Sequence, residues 1–129
     1  MWIFGRQGMV SIVQDREDPN YVWVRARERA ALVEFLKIED GPLDIGYVTH
    51  TPPPADYEFR VKGEKAIVAD LMVDAVWGID YDNFKDSIPK DRPRYHYALM
   101  SIWLTVRSAL GLEEDYGTDD DDGPDDDID

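Results

Sequence analysis

Apolar and polar residues alternate along two short stretches of this chain. In YVWVRA, residues 21–26, Val22, Val24 and Ala26 fall on one side and Trp23 and Arg25 on the other. In YEFRVK, residues 57–62, Tyr57, Phe59 and Val61 oppose Glu58, Arg60 and Lys62. A period of two predicts strands with one buried and one wet face. Upstream, apolar residues 2–4 and 9–14 flank Gly5-Arg6-Gln7-Gly8, whose two glycines suit the turn of a hairpin.

Elsewhere the spacing lengthens to three and four. Leu32, Phe35 and Leu36 predict a helix over 27–37, and Ile67, Leu71 and Ala75, flanked by Val68 and Met72, another over 64–77. Gly78 then stands where a left-handed cap belongs, and Asp80 reads as the N-cap of a short helix over 81–88 stopped by Pro89. The strongest stripe opens at Pro93 and runs through Tyr95, Leu99, Ile102, Trp103, Val106 and Leu110 to Gly111. Trp103, central on it, is expected in the core against the sheet, beside Leu99 and Val106. Residues 44–50 suggest one more short strand, and the prolines of 51–55 an extended loop. The order β-β-β-α-(β)-β-α-α-α, with one-sided strands, predicts an α+β fold. Its antiparallel sheet has four to five strands, with helices packed on one face.

Charge divides the chain unevenly. Against 14 Lys plus Arg stand 28 Asp plus Glu, a net of −14. Residues 1–112 hold all 14 bases and 17 of the acids, whereas 113–129 hold 11 acids and no base. The low isoelectric point therefore belongs to the end of the chain. The expected organisation is a compact domain over 1–112 followed by an acidic disordered tail over 113–129. A nearly balanced body does not imitate a nucleic-acid duplex, and the net negative charge disfavours binding one. No cysteine is present, which removes thiol chemistry and Cys-ligated zinc. The opening MWIFGRQGMVSIV lacks a basic start and a continuous apolar run, so it does not read as a signal peptide, and no apolar run reaches membrane-spanning length. A cytoplasmic protein with no membrane association is the expectation.

Several stretches carry a resemblance: MWIF, a following glycine, Val13-Gln14, Asp18-Pro19, VRAR at 24–27 ahead of a helix, and DYDNFK at 80–85. Together they resemble a group of short bacterial and bacteriophage proteins of unknown function. Met9 stands where that group has an aromatic residue, and the acidic end is additional. The resemblance implies a compact single-domain protein in a bacterial or phage setting, and no chemistry.

The residues offer little for catalysis. Asp80, Asp82 and Asn83 imitate the opening of a calcium loop, but Lys85 occupies the glycine position and Asp91 that of the bidentate Glu. Asp119 to Asp122 bring carboxylates without a rigid frame to hold them around a cation. His50 and His96 belong to no metal motif, and none of Ser11, Ser87, Ser101 and Ser108 sits in a nucleophile elbow. No catalytic residue, metal site or cofactor is therefore assigned. What remains is a basic strand face, Arg25, Arg60 and Lys62 with Trp23 beside them, able to hold a phosphate or carboxylate if the two strands are neighbours. In the competing picture Glu58 and helix acids neutralise those bases, and in a third the face takes the chain's own acidic end. The expected function is a non-catalytic interaction protein with a protein partner, which in a phage setting is a host factor. The alternative is a small-molecule or anion-binding protein, or an enzyme, using Trp23, Arg25, Arg60 and Lys62. The oligomeric state stays open.

Overall fold

The computed structural model describes residues 1–37 and 48–111. They divide between two compact units, Met1–Ile79 and Asp80–Asp129. The first contains β1 (Trp2–Gly5), β2 (Gly8–Gln14), β3 (Tyr21–Ala26), α1 (Arg29–Leu36), β4 (Thr49–His50), β5 (Phe59–Glu64) and α2 (Lys65–Trp77). The second contains a single 3-10 turn, Lys85–Ser87, and α3 (Pro93–Ala109). The fold is α+β, with a five-stranded antiparallel sheet in the order β1-β2-β3-β5-β4. Of the predicted strand over 44–50, Thr49–His50 forms β4, and residues 44–47 lie outside the described residues.

Register follows the alternation. Ile12, Val24 and Val61 stand in one row across β2, β3 and β5, and Val10, Ala26 and Phe59 in the next. With Val22 they make the apolar face, onto which α1 sets Ala31, Leu32 and Leu36 and α2 sets Val68 and Leu71. Leu32, Leu36, Val24 and Val61 lose all contact with solvent. Fully burying side chains of this size contributes roughly 1.5–3 kcal/mol each, so this layer holds the unit together.

Gly8 shows how closely α1 approaches. Its φ is +141°, and a Cβ built there would stand 2.8 Å from the Cβ of Ala31. Only glycine meets both demands.

Three local expectations need correction. The 57–62 pattern starts its strand two residues late, at Phe59, and the strand runs on to Glu64, where α2 begins without a connecting loop. Tyr57 therefore precedes the strand and does not share the side of Phe59 and Val61. Gly78 is right-handed, at φ −82° and ψ 0°, so its conformational freedom goes unused. The helix expected over 81–88 is only the 3-10 turn, with Phe84 and not Asp80 at its N-cap position; just ahead of it Asn83 Oδ1 accepts the Asp86 N–H at 3.2 Å.

In the second unit α3 matches its predicted limits, with Pro93 in the first turn and Gly111 at φ +74° behind its end. Its stripe is less buried than periodicity suggests. Leu99 is buried, Trp103 is half-buried with Arg107 Cζ 5.4 Å from its ring, and Val106 is 53% exposed. Apolar spacing marks a face and does not say how much of it is covered.

Candidate anion-binding face

The sheet face opposite α1 and α2 carries the four residues singled out in the sequence. β3 and β5 are neighbours in a register that pairs Arg25 with Arg60 and Trp23 with Lys62. Side chains directly opposite in an antiparallel pair have Cβ atoms about 4.5–5.5 Å apart. The two pairs differ in how their charge is met.

Lys62 is neutralised locally. Its Nζ lies 3.8 Å from Asp15 Oδ2 and 5.2 Å from the centre of the Tyr21 ring. The Trp23 indole donates to Asp15 Oδ1 at 2.9 Å. Asp15 Oδ2 also accepts the backbone N–H of Glu17 and of Asp18, which closes the turn between β2 and β3. The Trp23 hydrogen bond first, then the two backbone donors and nearby Lys62, hold the Asp15 carboxyl below its ordinary pKa against the opposing effect of burial. Trp23, Lys62 and Asp15 form a self-satisfied cluster.

Arg25 and Arg60 do not. Arg25 Nη2 donates to Ser11 Oγ at 2.8 Å, and its Cζ stacks 4.5 Å from the centre of the Tyr57 ring. Arg60 Nη2 reaches only the Tyr57 carbonyl, at 3.5 Å. Both Nε atoms are buried and make no hydrogen bond. Among the described residues neither guanidinium has a carboxylate partner. Glu58, the acid expected to supply one, bonds His50 Nε2 at 3.1 Å at the sheet edge. Asp56 pairs with Arg27 at 2.9 Å, where both side chains are well exposed, and such surface pairs contribute little.

Two cations in register, with neutral partners only among the described residues, repel each other across the ladder. Tyr57 moderates this. Only 6% exposed, it faces Arg25 and Arg27 with its ring and Arg60 with its carbonyl oxygen. Both Ser11 and Tyr57 escaped the sequence reading. Ser11 was visible as the polar break between Val10 and Ile12, whereas Tyr57 was assigned to the wrong side.

The arrangement can hold charge. Guanidinium groups stay protonated and present planar forks of N–H donors that match carboxylate and phosphate oxygens. Ser11 is 1% exposed, and its Oγ accepts a hydrogen bond from the Arg25 guanidinium. Among the described residues no group of three or more acidic or histidine side chains is placed to hold a metal ion, and no helix is long and apolar enough to cross a membrane. No protein-family model, curated protein or solved structure matches the chain. The acidic residues 113–129 lie outside the described residues.

Proposed function

We propose that this chain is a non-catalytic binding protein that grips a carboxylate-bearing segment of a partner protein between Arg25 and Arg60. The observation that carries the reading is the pairing of two half-buried arginines in cross-strand register with no carboxylate for either among the described residues. Such a pair costs stability in the free protein, and an anion placed between the two forks removes that cost while gaining charge-assisted hydrogen bonds. A polyanionic nucleic acid is disfavoured at range by the net charge of −14. A protein segment with a few carboxylates on an otherwise neutral or basic surface is not. The resemblance to short bacterial and bacteriophage proteins makes a host factor the partner class.

The test variant is Arg25→Glu with Arg60→Glu, compared with wild type. Calorimetric titrations use a glutamate-rich peptide, inorganic phosphate, mononucleotides and short oligonucleotides, beside affinity capture from a bacterial lysate. The expected result is one captured protein and measurable peptide binding, both lost in the variant, with phosphate and nucleotides at millimolar affinity or weaker. Micromolar binding of phosphate or a nucleotide that the variant loses would establish a small-anion site instead. Capture unaffected by the double charge reversal would remove this face from recognition.

A further inference from the structure

α2 is apolar on two sides. Its inner side, Ile67, Val68 and Leu71, faces the sheet and α1. At about 100° per residue, Ala66, Ala69, Met72, Val73, Val76 and Trp77 fall together on roughly 140° of the remaining circumference. Ala66 and Ala69 are exposed, Val73 is 53% exposed, Val76 64% and Trp77 84%. A groove of about 410 Å³ between β2 and α2, lined among others by Ile12, Val22, Val68 and Met72, opens beside the same stripe. A helix that is hydrophobic nearly all round belongs in an interior, and contiguous exposed apolar surface of this extent marks an interaction site.

The stripe is also graded. Its small residues, Ala66 and Ala69, occupy the N-terminal half, and its large ones, Val73, Val76 and Trp77, occupy the C-terminal half, followed by Ile79, itself 51% exposed. We propose that the occupant of this stripe is a second copy of the chain, with the two α2 helices packed antiparallel about a two-fold axis between residues 72 and 73. That operation sets Ala69 against the partner's Val76 and Met72 against the partner's Val73, with Ala66 beyond them toward the end of the partner's α2. Large meets small at each end, as an isologous interface requires of a single patch.

Charge agrees with the same register. Lys65 opens α2 and bonds a neutral amide oxygen, Gln14 Oε1, at 3.0 Å. In the antiparallel pair its ammonium group lies at the C-terminal end of the partner's α2, where the last carbonyls concentrate partial negative charge. Asp70 and Asp74 fall outside the stripe on the helical wheel, so no carboxylate is buried. A 13-residue helix is about 20 Å long. A contact of that length covers well under the roughly 800 Å² per partner of a standard interface, so the dimer is weak, with a Kd on the order of 10–100 μM.

Because the chain has no cysteine, introduced thiols give a clean test. In Val73→Cys the two thiols face each other across the axis and should form an intermolecular disulfide at least tenfold faster than in Glu34→Cys, an exposed control on α1. Mixing Ala69→Cys with Val76→Cys should give the mixed dimer in preference to either self-linked form. Sedimentation equilibrium from 5 to 500 μM should show the mass of unmodified protein rising toward twice the monomer value, and Val73→Lys should abolish the rise without changing the circular dichroism. A monomer at 500 μM, or equal cross-linking rates for Val73→Cys and Glu34→Cys, would overturn the proposal. So would a dimer that survives Val73→Lys. A monomer whose melting point falls by several degrees in Val73→Lys would assign the stripe to another segment of the same chain, and would equally overturn it.

Discussion

Removing one charge from the Arg25–Arg60 pair should stabilise the free protein. Arg60→Gln is the suitable perturbation, because Arg60 makes only the long 3.5 Å contact with the Tyr57 carbonyl, whereas Arg25 satisfies buried Ser11. Two unit charges in a medium of effective dielectric 20 repel by ~2–3 kcal/mol at separations of about 5–8 Å, the range open to side chains whose Cβ atoms stand about 5 Å apart. Lost packing of the arginine stem offsets about 1 kcal/mol of that relief. The net gain is then ~1–2 kcal/mol at low salt. For a chain of this size that corresponds to a rise of roughly 3–8 °C in melting midpoint. Urea titrations in a dilute, non-coordinating buffer measure it directly. Repeating them with added sulfate supplies a control, since the wild type should gain on the variant as anions fill the site. If Arg60→Gln instead lost more than about 1 kcal/mol in the anion-free buffer, a size typical of an ordinary contact removed, the pair would not be frustrated. The binding proposal would then lose its physical basis.

Two further outcomes follow from the same geometry. Gly8→Ala should cost on the order of 2–3 kcal/mol in a denaturant titration, because it combines a positive φ with overpacking against Ala31. A loss below 0.5 kcal/mol would mean that α1 moves away freely. The depressed pKa of Asp15, set chiefly by the Trp23 indole, makes its contribution to stability fully present above about pH 5 and lost as pH falls below about 4 through its folded value. Wild type should therefore be more stable than Asp15→Asn at pH 7, with the difference shrinking as pH falls below about 4, whereas a constant difference across that range would assign the effect to something other than the carboxylate charge.

How much of this was legible in the sequence differs from residue to residue. Alternation in 21–26 was enough to place Trp23 and Arg25 on the polar side, because each residue from Val22 to Ala26 is paired on both sides within the sheet. The same rule failed at Tyr57, because that residue lies outside the strand, where backbone pairing no longer fixes which side it takes. Asp15 looked like part of a polar break. Its role depends on Trp23 and Lys62, which the chain brings back beside it only when the β2–β3 turn closes and β5 joins the sheet. The second apolar side of α2 was hidden for a different reason. Ile67, Val68 and Leu71 already form one complete apolar stripe at helical spacing, which masks a second one on the same helix. Nor does any pattern of spacing reveal that Arg25 and Arg60 share a register. That relation depends on where β5 begins, and two residues of uncertainty there would change the partner.

The direct passage from β5 into α2 sets a rule for how this chain can change length. Glu64 ends the strand opposite Tyr21, Lys65 starts the helix, and the Lys65 N–H is fixed to the Asn20 carbonyl at 2.8 Å. A single residue inserted at this junction would turn α2 by about 100° about its axis, carrying Val68 and Leu71 off the sheet. An insertion within β5 would send Arg60 and Val61 to each other's sides. An insertion scan of the chain should therefore find residues 59–71 closed to both additions and deletions. The exposed turn at residues 16–18, where side-chain caps rather than packing hold the backbone, should accept them. That turn, and not the strand-to-helix junction, is where a tag or a reporter peptide belongs.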